Sequence, residues 1–138
     1  MAAYNKFNCF VEDLAEKKHN LGSDTLTVAL LAAANAPVAA NTVLANLTQA
    51  AYTYCSTRAI TTGSSAQTSG TYKLVLTDLT LTASGGAVGP FRYVVIYNDT
   101  ATNKELIGWY DYGSEITLAA GESLLLDFDG SNGVLQLV

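Results

Sequence analysis

Phe91-Arg92-Tyr93-Val94-Val95-Ile96-Tyr97 is apolar on both of its alternate faces, with Arg92 its only charge. Successive side chains of a strand point to opposite sides, so such a run predicts a strand covered on both faces, in the middle of a core. Downstream, the polar run Asn98 to Glu105 turns the chain back into Leu106 to Tyr112, and Ile116 to Leu118, Leu124 to Phe128 and Val134 to Leu137 follow with glycine-containing turns between them. Upstream of the glycine loop Ala83 to Pro90, Tyr72, Leu74 and Leu76 share one face, whereas Leu79 and Leu81 fall in the opposite phase. A bulge or bend near Thr77-Asp78 must therefore re-aim the chain, as where a strand crosses between two sheets. Asp24 to Leu31 alternates Leu26, Val28 and Leu30 with Thr25, Thr27 and Ala29, the pattern of a half-buried strand. Seven to eight short strands at this spacing predict a mainly β fold, an antiparallel sandwich or barrel of jelly-roll-like type.

The N-terminal segment, about residues 3–20, departs from this period. Ala3, Phe7, Phe10, Val11 and Leu14 recur at helical intervals, with Asn5, Glu12, Asp13 and Glu16 facing away. Lys17, Lys18 and His19 suit the negative end of a helix dipole, and Gly22 suits a left-handed stop. An amphipathic helix laid across a β body of about residues 24–138 is expected, in a single domain spanning 1–138. Between them Ala32 to Ala40 breaks the first strand around Pro37, Asn41 is placed to cap a short helical turn through Val43, Leu44 and Leu47, and Tyr52 to Thr62 reads as extended. Gly63 to Gly70 has no apolar residue larger than alanine, so it reads as a mobile surface loop.

A chain of 138 residues should bury roughly 68% of the surface exposed when unfolded, enough for one core without staples. Only 14% of its residues are charged, against about 25% in typical domains, which suits a surface partly covered in an assembly. The net charge is −5 and no basic cluster exceeds Lys17-Lys18, so nucleic acid is not an expected partner. Cys9 and Cys55 have no metal spacing and read as reduced thiols. With no apolar run long enough for a membrane span and no charged-then-apolar leader, synthesis and folding in a cytoplasm are expected, and the sequons at Asn46 and Asn98 read as chance.

No constellation suggests catalysis. The serines lack a Gly-x-Ser-x-Gly turn, and Cys9 and the single His19 would lie about 15 Å apart on a continuous helix. Asp127-Phe128-Asp129-Gly130-Ser131-Asn132-Gly133 has oxygens at alternate positions, but a hairpin turn explains its glycines and no downstream carboxylate closes a calcium shell. Gly85-Gly86-Ala87-Val88-Gly89 leads into a strand rather than a helix N-terminus, which argues against a phosphate cradle. No catalytic residue, metal or cofactor is expected. The candidate interface is aromatic: Trp109, Tyr110, Tyr112, Tyr93 and Tyr97, with Trp109 and Asp111 on one face of their strand and Tyr110 and Tyr112 on the other. Ser64, Ser65, Gln67 and Thr68 in one loop, and Gly85 and Gly86 in another, are candidate docking segments that order on binding.

Tyr4-Asn5-Lys6-Phe7-Asn8, Phe10-Val11-Glu12-Asp13-Leu14-Ala15, His19-Asn20-Leu21, Ser23 to Leu30 and Ala36-Pro37-Val38-Ala39 together resemble a family of small structural proteins of tailed bacteriophages, densely over residues 4–48. Gly89-Pro90-Phe91-Arg92-Tyr93 and Ile107-Gly108-Trp109-Tyr110-Asp111 are similar to some members of the same group. Where members commonly carry a Thr-Asn-Thr type loop after the first strand, this chain has Leu31-Ala32-Ala33-Ala34-Asn35, and Gln49-Ala50 replaces an acidic-apolar pair. The resemblance implies a virion component, foremost a capsid decoration or cement protein bound to the major capsid protein, as a trimer over a local threefold. The rival it leaves open is a tail, neck or fibre-associated protein that holds host-surface glycan through the aromatic cluster.

Overall fold

The computed structural model describes residues 2–138. Its centre is the strand at which the sequence points: β7, Val88–Asn98, is paired antiparallel with β2, Leu26–Leu31, on one side and with β8, Leu106–Leu118, on the other. The edge strands β1, Ala3–Lys6, and β3, Ala59–Ile60, complete a five-stranded sheet in the order β1-β8-β7-β2-β3. β4, Thr62–Thr68, and β5, Thr71–Leu76, join β10, Leu135–Leu137, in a second sheet ordered β10-β5-β4, and β6, Leu79–Thr82, pairs with β9, Ser123–Leu126. All pairings among these strands are antiparallel, so the mainly β architecture with one short N-terminal helix stands, with ten strands among the described residues rather than seven or eight.

Alternation along β7 feeds two apolar clusters. Val94 and Ile96, with Val28 and Leu30 of β2, meet Leu74, Leu76, Leu81 and Leu126 from the two smaller sheets and Phe128 from the segment after β9. Tyr93, Val95 and Tyr97, with Ala29, Leu31 and Leu106 of the same sheet, are closed on the opposite face by Phe7, Leu44 and Leu47. β2 is consequently buried at all six positions instead of at every second one. Small Thr27 and Ala29 read as solvent-facing, yet a second layer of chain lies over them. The re-aiming near Thr77-Asp78 carries the chain from β5 in one sheet to β6 in another, and Asp78 Oδ1 accepts the Phe128 amide at 2.8 Å to hold the crossing.

The N-terminus is corrected most. Only Cys9–Ala15 is helical (α1), while Ala3–Lys6 is a strand in register with Lys6 opposite Gly108 and Ala3 opposite Asp111. The buried face of α1 holds Phe10 and Asp13, with Asp13 tied to Lys18 at 2.8 Å, whereas Val11 is 51% exposed. The helix ends at Lys17, φ 68°, not at Gly22: Lys18 N donates to Asp13 O and Lys17 N to Leu14 O, the paired bonds of a Schellman stop. Gly63 to Gly70 is also not a loop. Most of it belongs to β4, Thr62–Thr68, joined to β5 by a two-residue turn with positive φ at Ser69 and Gly70, so a backbone ladder holds a segment that has nothing apolar to bury. Asn41 does not cap the following turn. Its Oδ1 accepts Val38 N, and Asn46 Oδ1 instead accepts the amides of Thr42 and Val43 to hold the 3-10 turn Leu44–Asn46.

Candidate functional site

A concavity of about 740 Å³ lies between the segment after α1, the β7–β8 turn and the β4–β5 hairpin; His19, Asp24, Glu105, Tyr72 and Thr102 are among its lining residues. Its floor is built around Asn98, the last residue of β7, which is fully buried. Asn98 Oδ1 accepts the amides of Thr100 and Ala101 at 3.0 and 3.1 Å, which fixes the orientation of the carboxamide. Its Nδ2 therefore donates, at 2.6 Å to Asp24 Oδ2 and at 3.0 Å to His19 Nδ1. An accepting Nδ1 places the proton of the neutral imidazole on Nε2. Burial pushes the His19 pKa down from its ordinary value, opposed by the carboxylates of Asp13, Glu105 and Asp24. The ring sits against Phe10 with centroids 5.4 Å apart.

Two polar atoms of this floor lack partners. His19 and Glu105 are 5% and 6% exposed, and neither His19 Nε2 nor Glu105 Oε2 makes a hydrogen bond. A buried group left in that condition costs about 1–3 kcal/mol. Sequence reading missed this assembly because its members belong to separate turns: His19 read as a helix terminus, and Asn98 and Glu105 as the ends of one polar run.

The aromatic residues are not gathered on one surface. Tyr110 is buried in the main core, 5.4 Å from the Tyr4 ring and 6.0 Å from Phe128, while Tyr93 and Tyr97 are buried on the opposite face of the sheet. Trp109 is half-buried against Phe7 at 4.6 Å, and Tyr112 is half-buried beside the main core. Val95 lies opposite Trp109 and Val94 opposite Tyr110, and since successive side chains of a strand point to opposite faces, the two neighbouring aromatics enter different clusters. Burial drives the Tyr110 hydroxyl pKa up to about 12.

Ser64, Ser65, Gln67 and Thr68 stand on β4, the outer strand of its sheet. Thr68 and Thr71 close the two-residue turn, so Thr68, Ala66 and Ser64 direct their backbone groups to β5, while those of Ser65 and Gln67 point outward. Gly85 (φ 82°) and Gly86 bend the β6–β7 connection beneath the Tyr54 ring. The Asp127–Gly133 segment links two sheets rather than closing a hairpin, and Asp129 Oδ1 accepts the amides of Ser131 and Asn132. Among the described residues no group of His, Cys, Asp and Glu has metal-holding geometry. Cys9 and Cys55 are free; burial raises both thiols, Cys9 to about 11, which leaves them poor nucleophiles.

No family model matches the chain, and no curated protein or solved structure matches it significantly. Among the described residues no helix is long and apolar enough to cross a membrane.

Proposed function

We propose that the chain is a structural protein of a tailed-phage particle, a decoration or cement protein that binds the major capsid protein on the outer lattice and acts by fitting its neighbours rather than by catalysis. The resemblance over residues 4–48 supplies the family, and a homo-oligomer, a trimer on that resemblance, supplies the assembly. The observation that carries the reading is the free edge of β4. Outer strands usually bear lysine or proline that discourages pairing, yet Thr62–Thr68 has neither, and no charge at all. Such an edge offers main-chain hydrogen bonds to a strand of a neighbouring subunit. The 14% charged fraction favours the same use, since few ionised side chains must be desolvated on docking.

Rebinding to particles stripped of the protein tests this reading. The wild-type chain is expected to reload to saturation and raise the particles' heat tolerance, whereas Gln67→Lys, which charges the free edge without touching the core, is expected to reload weakly. A wild-type chain that does not reload would contradict the reading.

A further inference from the structure

We propose that Asn132 is a site of spontaneous deamidation, that the turn from Asp129 to Gly133 sets its rate, and that the product releases β10 from β5. Asn132 is exposed, and it alone among the asparagines of the chain is followed by glycine. The reaction needs only that neighbour and water. The Gly133 amide nitrogen attacks Asn132 Cγ; as the N–Cγ bond forms, the Cγ–Nδ2 bond breaks, and Nδ2 leaves as ammonia with the Gly133 amide proton. Water then opens the cyclic imide. Opening at the side-chain carbonyl gives aspartate, and opening at the main-chain carbonyl gives isoaspartate, with an additional carbon in the backbone. Glycine favours the attack because no Cβ crowds the approaching nitrogen.

The fold both requires this dipeptide and restrains it. Gly133 has φ 81°, and a Cβ there would lie 2.8 Å from Leu74 O, so the position excludes a side chain. In the closed turn both reacting groups are engaged: Gly133 N donates to Asp129 O at 3.0 Å, and Asn132 Nδ2 donates to Asp129 Oδ2 at 3.0 Å. Bonds from the Asn132 amide and carboxamide and from the Ser131 amide hold the Asp129 carboxyl below the usual carboxylate range, so it is charged at neutral pH. Lys73, whose Nζ donates to Ser131 O at 3.3 Å, is the cation beside it. Deamidation therefore waits on local opening of the turn. Once it has occurred, a carboxylate at position 132 faces that of Asp129 where a donor stood, and repulsion keeps the clasp open. The next residue, Val134, is buried and donates its amide to Leu74 O at 2.8 Å, leading directly into the β10–β5 ladder, so a displaced turn loosens Leu135–Leu137. The site is apart from the β4 edge and independent of the virion reading.

The test incubates the purified chain in mildly alkaline buffer, folded and in urea, and follows each asparagine by peptide mass with fragmentation that separates aspartate from isoaspartate. Conversion is expected at Asn132 ahead of every other asparagine, slower in the folded chain than in urea by a factor on the order of ten or more. Asp129→Ala, outside both apolar clusters, should raise the folded rate on the order of tenfold. Asn132→Asp, which installs the product charge directly, should speed amide exchange at residues 134–137 while leaving β7 unchanged. The proposal is overturned if Asn132 of the folded chain is intact after an incubation on the order of a hundredfold longer than half-conversion in urea. It is equally overturned if folded and unfolded rates agree, if Asp129→Ala leaves the rate unchanged, or if Asn132→Asp exchanges like the wild type.

Discussion

The two faces of the five-stranded sheet are buried by different means. On one, Val28, Leu30, Val94 and Ile96 meet residues of β5, β6 and β9, elements with their own alternating patterns. On the other, Leu31, Tyr93, Val95 and Tyr97 lie beneath Phe7, Leu44 and Leu47, from chain that is largely irregular. The same irregular chain runs on past β2 to Ala50 and Tyr52, which pack against the first cluster, and polar contacts fasten it to β2: Tyr52 OH accepts Leu30 N at 2.9 Å, Ala50 N donates to Leu30 O, and Arg58 donates to Val28 O at 2.6 Å while lying over the Tyr52 ring at 3.7 Å. One face is thus closed by packing of regular strands, and the other by a strap whose position depends on particular hydrogen bonds.

The contrast can be broken from either side. The largest effect is expected at Phe10, 2% exposed in the strand-covered cluster: Phe10→Ala should destabilise by about 3–5 kcal/mol in urea unfolding. A wild-type-like midpoint would show that α1 is not part of the core. Next is Gly108→Ala, whose new Cβ would lie 2.6 Å from Tyr4 Cζ and should cost about 1–3 kcal/mol, with much of the loss relieved in a Tyr4→Ala background. For the strap, Tyr52→Phe leaves Leu30 N without its acceptor and should cost about 1–3 kcal/mol, with amide exchange accelerated in residues 44–58 before the sheet. The smallest effect belongs to Val11→Ala, at an exposed position, within about 0.5 kcal/mol.

Acidity tests the cleft floor by another route. His19 has a folded pKa below the unfolded value of 6.5, so the unfolded chain binds more protons in the interval between them. Its contribution to stability is fully present above about pH 6.5 and diminishes as the pH falls toward the folded value. His19→Gln should flatten that part of the thermal midpoint–pH curve; an unchanged slope would place its origin in other groups.

Much of the β body was legible because β7, β5 and β6 carry strong apolar patterns, including the phase reversal that marks the change of sheet at Thr77-Asp78. The N-terminal strand was hidden by coincidence of spacing: Ala3, Phe7, Phe10 and Leu14 fit a helical stripe, but Tyr4 is needed over Gly108 and only residues from Cys9 onward are helical. β4 was hidden for the opposite reason, since Ser, Ala, Gln and Thr give no burial signal and its structure comes from the ladder with β5. The cleft was illegible because His19 and Asp24 come together only through tertiary closure around Asn98.

On the proposed reading the chain is encoded by a tailed phage, and counting its copies in purified particles of that phage tests the proposal most directly. Quantitative mass spectrometry against the major capsid protein is expected to return copies in the hundreds, in fixed ratio to the lattice. A dozen copies or fewer, or none, would contradict it.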